Sequence, residues 1–448
     1  MKESQLVIMT GKRMQKIILF LMILIIPAAL NAGEADKEPT ERSVYSLADL
    51  YRLGLERSES IKIAENQLYV AEKDVDRAFS VLVPTISAYG DYIRYDAASV
   101  IQPKSGHEYG VKLQQQFTIN GREFIVLGAA KDTIKQREYD LDAVREENLF
   151  TVASAYYDIV NKRKRVEILK ENVKRLEAHK EAVIIQLKLE EVPKTALLRT
   201  EAELSGSKSD LVKAENTLVF AYATLARMLE IPLAYEIITP DLDDDSPIDG
   251  HLEKFIETAF DQRSDIKSLE MNVKLAGDNV DILKSEYWPT LSFEAGYKRQ
   301  GSDPSYLSED ETVYGAVNLN MILFDWGFRS ASISQEKANK RSAELLLQAK
   351  SKEIALEVEQ AYLMIITAQS VIVALKDKLR FSRADYEAVS LQFKVGQADS
   401  LDIMDSNTVL LNSERELSEA RYLLALAKIG LESAQGIFLK SVTNRLNN

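Results

Sequence analysis

Asp402 and Asp405 lie three residues apart in a long stretch without proline, so on a helix both carboxylates leave from one face. Two readings of the pair stand side by side. Near a helix N-terminus, acidic side chains complement the helix dipole and need no further role. Gathered in several copies around one axis, they would attract cations and repel anions. Few other residues invite a chemical reading. Cysteine is absent, and the three histidines, His107, His179 and His251, are far apart, which removes thiolate nucleophiles, disulfides and zinc-thiolate sites. No G-x-G-x-x-G, P-loop, H-E-x-x-H or G-x-S-x-G pattern occurs. The pair His107-Glu108 reads as a strand or loop contact, and no catalytic, cofactor or metal site is expected. The net charge of -13 opposes a nucleic-acid partner, whose phosphates call for a basic face.

The element that must position the two aspartates runs from Gln392 to Gly436, a turn around Gly396 followed by a long helix. Leu410, Leu417, Leu424 and Leu431 recur every seven positions, with Ser413, Ala420, Ala427 and Ala434 three residues after each. That period keeps one seam against a neighbouring helix, and the small residues allow close approach, as in a coiled coil.

At the N-terminus, Lys12, Arg13 and Lys16 precede the apolar run Ile17 to Ile26, Pro27 and Leu30-Asn31-Ala32. This is the pattern of a secretory signal, residues 1–32, cleaved after Ala32. No later stretch approaches eighteen uninterrupted apolar residues, so no mature transmembrane helix is expected, and any membrane insertion must use strands. The rest reads as a duplication. Ile61, Lys62, Val75, Pro84 and Thr85 recur as Ile266, Lys267, Val280, Pro289 and Thr290; further on, Gly121, Tyr156, Gln186 and Leu211 recur as Gly327, Tyr362, Gln392 and Leu417. The repeats span residues 33–230 and 251–438. The linker, 231–250, and the tail, 439–448, are expected to be irregular; DLDDDSPIDG in the linker lacks the spacing of an EF-hand and reads as solvated chain.

Each repeat begins with a helix, Ser46 to Leu82 in the first, stopped by Pro84. Two alternating strands follow, about 84–95 and 107–117 in one repeat and 289–299 and 312–323 in the other. Tyr109, Val111, Leu113, Gln115 and Phe117 share one parity, mostly apolar, as do Leu291, Phe293, Ala295 and Tyr297, and Val313, Gly315, Val317 and Leu319. Such alternation suits a transmembrane β-strand and equally a half-buried soluble hairpin. The loops Asp96 to Gly106 and Gln300 to Glu311 are polar. At the opposite end Tyr287, Trp288, Phe324 and Trp326 form either an interfacial girdle or core packing. Four strands cannot close a barrel alone, so in lipid they must be shared among copies. Proline is absent from Gly121 to Leu189 and from Gly327 to Val395, which allows helices of about 100 Å, with two shorter helices stacked beside each.

The duplicated pattern, the LFDWGFR turn at Leu323 to Arg329 and the segment GQADSLDIMDSNTVLLNSERELSEAR from Gly396 resemble the TolC-like outer membrane efflux protein family over about Ser46 to Phe438. The resemblance implies a mainly α fold with a β-barrel portion: a homotrimer whose 12-stranded outer-membrane barrel continues into a periplasmic helical coiled-coil barrel. It implies an exit duct that docks with a periplasmic adaptor and an inner-membrane transporter and releases drugs, metals or proteins. It places Asp402 and Asp405 in a carboxylate ring at the periplasmic tip. Glu190, Glu191, Thr195, Phe393, Gly396 and Gln397 then belong to the turns that gate the tip and meet the adaptor. The latch of that family is not reproduced residue for residue: Gln397-Ala398 stands where a basic residue can latch the tip, Glu190-Glu191-Val192-Pro193 replaces a glycine turn, and Ala196 replaces an acid. A secreted coiled-coil scaffold with soluble hairpins is the rival reading, and an envelope hydrolase, lacking a site, a distant third.

Overall fold

A computed structural model of the chain describes residues 43–97, 99, 103–240, 248, 250–303 and 310–447. The segments expected to be signal and lead (1–42), most of the acidic linker run and parts of both polar loops lie outside the described residues. The elements in order are β1 (Ser43–Tyr45), α1 (Leu47–Arg57), α2 (Glu59–Ser80), β2 (Thr85–Arg94), β3 (Ser105–Thr118), α3 (Arg122–Lys188) and α4 (Lys194–Met228). Then come β4 (Tyr235–Ile237), α5 (Leu252–Gln262), α6 (Ser264–Lys284), a 3-10 turn (Ser285–Tyr287), β5 (Thr290–Asp303), β6 (Asp310–Asn320), α7 (Phe328–Lys394), α8 (Ser400–Ala434) and α9 (Phe438–Asn447).

Helix α3 and helix α7 each hold 67 residues, about 100 Å at the α-helical rise, and α4 and α8 each hold 35. Helix α3 packs along α2, α4, α6 and α8, and α7 along α5, α6 and α8. The seam anticipated on α8 is buried: Leu410, Leu417, Leu424 and Leu431 are at most 5% exposed. Leu417, Leu424 and Leu431 share a core with Ile354, Val358, Ile365 and Ile372 of α7, where each fully buried aliphatic side chain contributes about 1.5–3 kcal/mol.

The first helix of each half is not continuous. Residues 46–82 break at Ser58, whose ψ of 124° is extended, and the second half breaks at Arg263 with ψ 127°. Distant partners hold both breaks. Arg57 donates to the Leu229 and Glu230 carbonyls at the end of α4 (3.1 and 2.7 Å), and Arg263 donates to the Ala434 carbonyl at the end of α8 (3.1 Å). These arginines satisfy carbonyls that a helix end leaves without partners. The tail after Phe438, expected to be irregular, is helix α9. Phe438 and Val442, one turn apart and at most 1% exposed, enter the core of Leu50, Leu149, Tyr156 and Leu225. Part of the linker is also ordered, because β4 pairs with β1.

The larger sheet has the order β2-β3-β5-β6, antiparallel throughout, with β2 and β6 at its edges. Strand β6 stops at Asn320, short of 323, because its partner there, Thr290, is the first residue of β5. Strand β5 runs to Asp303, beyond 299, following its register with Ser105. That register puts Ile86, Val111, Leu113, Phe293, Tyr297, Val313 and Val317 on one face. This apolar face is the exposed one, Val313 at 82% and Val317 at 66%, while Tyr89, Glu108, Glu294, Lys298 and Tyr314 of the polar face are half-buried. Trp326, Phe324 and Trp288 at the helical end are 90%, 70% and 54% exposed, which excludes core packing within the chain. One 18-residue window of α7 is also apolar and long enough to cross a membrane by composition, where none was expected; only 17% of it is buried.

Candidate functional site

Helices α3 and α7 both end about 100 Å from the sheet, at turns with matching hydrogen bonds. Glu191 N donates to Gln186 O at 2.9 Å, and Gln397 N to Gln392 O at 2.8 Å. This closure needs a residue in the left-handed region. Gly396 supplies it with φ 75°, and Glu190 adopts φ 60° although it carries a side chain. Helix α4 then starts after Pro193, with its fixed backbone and no amide hydrogen to satisfy.

Helix α8 starts differently. The Asp399 carboxylate accepts from the amides of Leu401 (2.7 Å) and Asp402 (2.9 Å), and Asp402 Oδ2 accepts from the Asp399 amide at 2.9 Å. Asp402 is thus half of a capping box. Its carboxylate stays exposed, as does that of Asp405 one turn further on. Both open onto a groove between α7 and α8 whose lining includes Asp385, Gln392 and Gln397. Asp385 is a third carboxylate that sequence reasoning did not single out. Its signal was reflection through the Gly396 turn, since antiparallel helices joined by a short turn place residues nearly equidistant from it side by side.

Beneath the surface, Val183, Phe393 and Ile403 form a buried cluster joining both turns, with Val192, Ala196 and Ala398 packed against it. Phe393 is 1% exposed, its ring edge-on to His179 at 5.0 Å and its carbonyl accepting from Gln186 at 2.9 Å. It holds the tip together from inside, whereas Glu190, Glu191, Thr195, Gly396 and Gln397 are exposed. His179 Nε2 lies 2.9 Å from Ser400 Oγ, and burial pushes its pKa down to about 4. Further along, Asn407 donates to Asn172 (2.8 Å), Asn172 to Ser207 (2.8 Å), and Arg175 to Asn407 (2.9 Å) and to Glu414 (3.0 Å). This polar layer ties α3 to α4 and α8, and satisfied buried polar groups of this kind fix helix register. Among the described residues no group of three histidine, aspartate or glutamate side chains could hold a metal ion.

The arrangement is a long helical wall with an acidic, exposed tip at one end and a sheet with an apolar outer face at the other. Comparisons with known proteins agree with it. The family model described as outer membrane efflux protein matches residues 50–229 and 255–436. The outer membrane protein TolC of Vibrio cholerae is 22% identical over 404 residues, covering 87% of this chain and 90% of that protein. The alkaline protease secretion protein AprF of Pseudomonas aeruginosa is 22% identical over 236 residues, 51% of this chain and 49% of that one. Among solved structures, the Campylobacter jejuni CmeC outer membrane channel superposes with a TM-score of 0.78 at 17% identity, covering 90% of this chain and 89% of that one. The open state of the Neisseria gonorrhoeae MtrE channel gives 0.76 at 20% identity, covering 88% and 89%. The chain belongs to the outer membrane efflux protein family and is an outer-membrane transport protein that extends into the periplasm.

Proposed function

We propose that three copies of this chain form a passive exit duct, a 12-stranded barrel in the outer membrane continuous with a periplasmic helical tunnel, each chain contributing a duplicated helix-hairpin-helix unit. One observation carries the reading: the sheet exposes its apolar face, and among the described residues the outer edges of β2 and β6 have no strand paired to them. In water both features are liabilities. In a bilayer, pooling the strands of identical copies satisfies the edges, and lipid covers the apolar face. A soluble scaffold would have turned that face inward. The matching lengths of α3 and α7 and of α4 and α8 support the duplication.

At the tip the three chains would bring Asp402 and Asp405 around one axis, where they favour cations. The exposed turns at Glu190–Thr195 and Gly396–Gln397 would meet a periplasmic adaptor, which joins the duct to an inner-membrane transporter. The relatives support either a tripartite efflux pump or a type I secretion system, since AprF is named for protease secretion. Fractionation and planar bilayers test the proposal. Outer-membrane trimers that survive mild detergent and conduct ions are expected; a water-soluble monomer released by osmotic shock would overturn it.

A further inference from the structure

The polar face of the sheet carries one arrangement twice. Strand β3 holds Glu108-Tyr109-Gly110 and strand β5 holds Glu294-Ala295-Gly296, each a Glu-x-Gly triplet. Directly across from Gly110 in the register stands Tyr89 of β2, and across from Gly296 stands Tyr314 of β6. Each tyrosine hydroxyl donates to the glutamate of the facing triplet, Tyr89 to Glu108 at 3.1 Å and Tyr314 to Glu294 at 2.8 Å. Two residues along a strand are about 6.7 Å, close to the reach of a tyrosine from its Cβ to its hydroxyl. The ring therefore lies flat over the glycine. A Cβ on Gly296 would come within 2.9 Å of the Tyr314 ring and hydroxyl; one on Gly110 would sit 3.1 Å from the Tyr89 hydroxyl and 2.4 Å from the Tyr297 carbonyl oxygen. Lys298 completes the first seat, 3.4 Å from Glu108, and Lys112 lies over the Tyr89 ring at 5.9 Å.

We propose that Gly110 and Gly296 set the bore of the barrel, each seating a tyrosine against the wall that would otherwise stand in the passage. The inference rests on the duct reading, which makes the polar face the lumen. Twelve strands about 4.8 Å apart and tilted about 37° give a backbone radius of about 11 Å, so a tyrosine pointing inward would use more than half of it. Two such rings from each of three chains would nearly fill the section. Folded onto glycine, they leave it open and add no unpaired polar group to the wall.

Gly296→Ala is the clean variant, because the atoms its methyl group meets are the free end of Tyr314, whereas Gly110 also faces backbone. The native chain has no cysteine, so Gln114→Cys, on the same face and nearer the helices, reports on passage down the barrel. Intact cells are treated with a small charged maleimide and with a polyethylene-glycol maleimide of about 2 kDa. In the Gly296→Ala background the polymer reaction should slow about tenfold while the small reagent keeps its rate, because lumen substitutions act on what a barrel admits. Removing the ring as well, in Gly296→Ala/Tyr314→Ala, should restore the polymer rate. Tyr314→Ala alone covers the case in which the glycine variant fails to assemble, and it should leave the polymer rate unchanged. A polymer rate unaffected by Gly296→Ala, or raised severalfold by Tyr314→Ala alone, would overturn the inference. Failure of the small reagent to reach Gln114→Cys in otherwise native trimers would overturn the duct reading itself, and this proposal with it.

Discussion

His179 Nε2 lies 2.9 Å from Ser400 Oγ, which joins α3 to the first residue of α8 inside the tip. The imidazole is 5% exposed, and its Nδ1 has no partner among the described residues. Burial lowers its pKa from 6.5 to about 4, so between these values the folded tip holds fewer protons than the unfolded chain. Its contribution to stability is complete above pH 6.5 and is lost as the pH falls toward 4. A shift of that size corresponds to at most about 3 kcal/mol per chain. Thermal unfolding should weaken with acid more steeply in the native chain than in His179→Gln. Parallel pH profiles would show that folding leaves the imidazole's pKa unshifted and would overturn this prediction.

The two aspartates should separate by role. Asp405→Ala removes a charge and no hydrogen bond that holds α8, so in planar bilayers it should weaken cation preference and divalent-ion block without loosening the tip. Asp402→Ala should do the same and also destabilise the start of α8 by about 1 kcal/mol, because its carboxylate accepts from the Asp399 amide. The double alanine variant should lose most of the selectivity. Unchanged reversal potentials in a salt gradient would remove the carboxylate ring.

Glu190 occupies the backbone conformation that Gly396 occupies in the other half, φ 60° against 75°. A side chain there costs about 1 kcal/mol relative to glycine. Glu190→Gly should raise stability by that amount, read as a higher urea midpoint with an unchanged slope. A fall in the midpoint would mean that the Glu190 side chain makes a contact worth more than the backbone strain.

Charge reversal on the exposed turn residues, Glu190→Lys with Glu191→Lys, should lower export while outer-membrane trimers persist. Export at the native level from these variants would count against these turns as the adaptor surface.

Arg263 is 14% exposed at its side chain and joins Asp265 (2.7 Å), Glu357 (2.6 Å) and the Ala434 carbonyl (3.1 Å). Burial opposes the Asp265 charge, but the arginine more than offsets it and holds the pKa below the usual carboxylate value. Arg263→Met should cost about 2 kcal/mol, since it leaves the half-buried Asp265 with Lys350 as its remaining cation and takes the donor from the Ala434 carbonyl at the end of α8. A melting temperature within a degree of the native one would contradict this.

What the sequence disclosed and what it withheld divide along one physical line. The α8 leucine seam, the turn at Gly396 and the two-faced strands are set by local period and local backbone demand, and all were readable. The breaks at Ser58 and Arg263 were not, because Arg57 bonds to carbonyls 172 and 173 residues away. Helix α9 is short and owes its order to the pocket that receives Phe438 and Val442. At the tip, the Asp399-x-x-Asp402 spacing already contained the capping box, which the reading of Asp402 as a pore charge passed over. Asp385 required knowing how α7 and α8 face each other.

Equal lengths of α3 and α7, 67 residues each, carry a constraint on change. Losing one residue from a helix shortens it by about 1.5 Å and turns everything beyond it by about 100°. A deletion confined to α3 would leave its turn short of the α7 turn and rotate Val183 and His179 away from Phe393 and Ser400. Lengthening or shortening this protein therefore demands simultaneous, equal edits in both halves of the gene, by amounts that restore the same helical face.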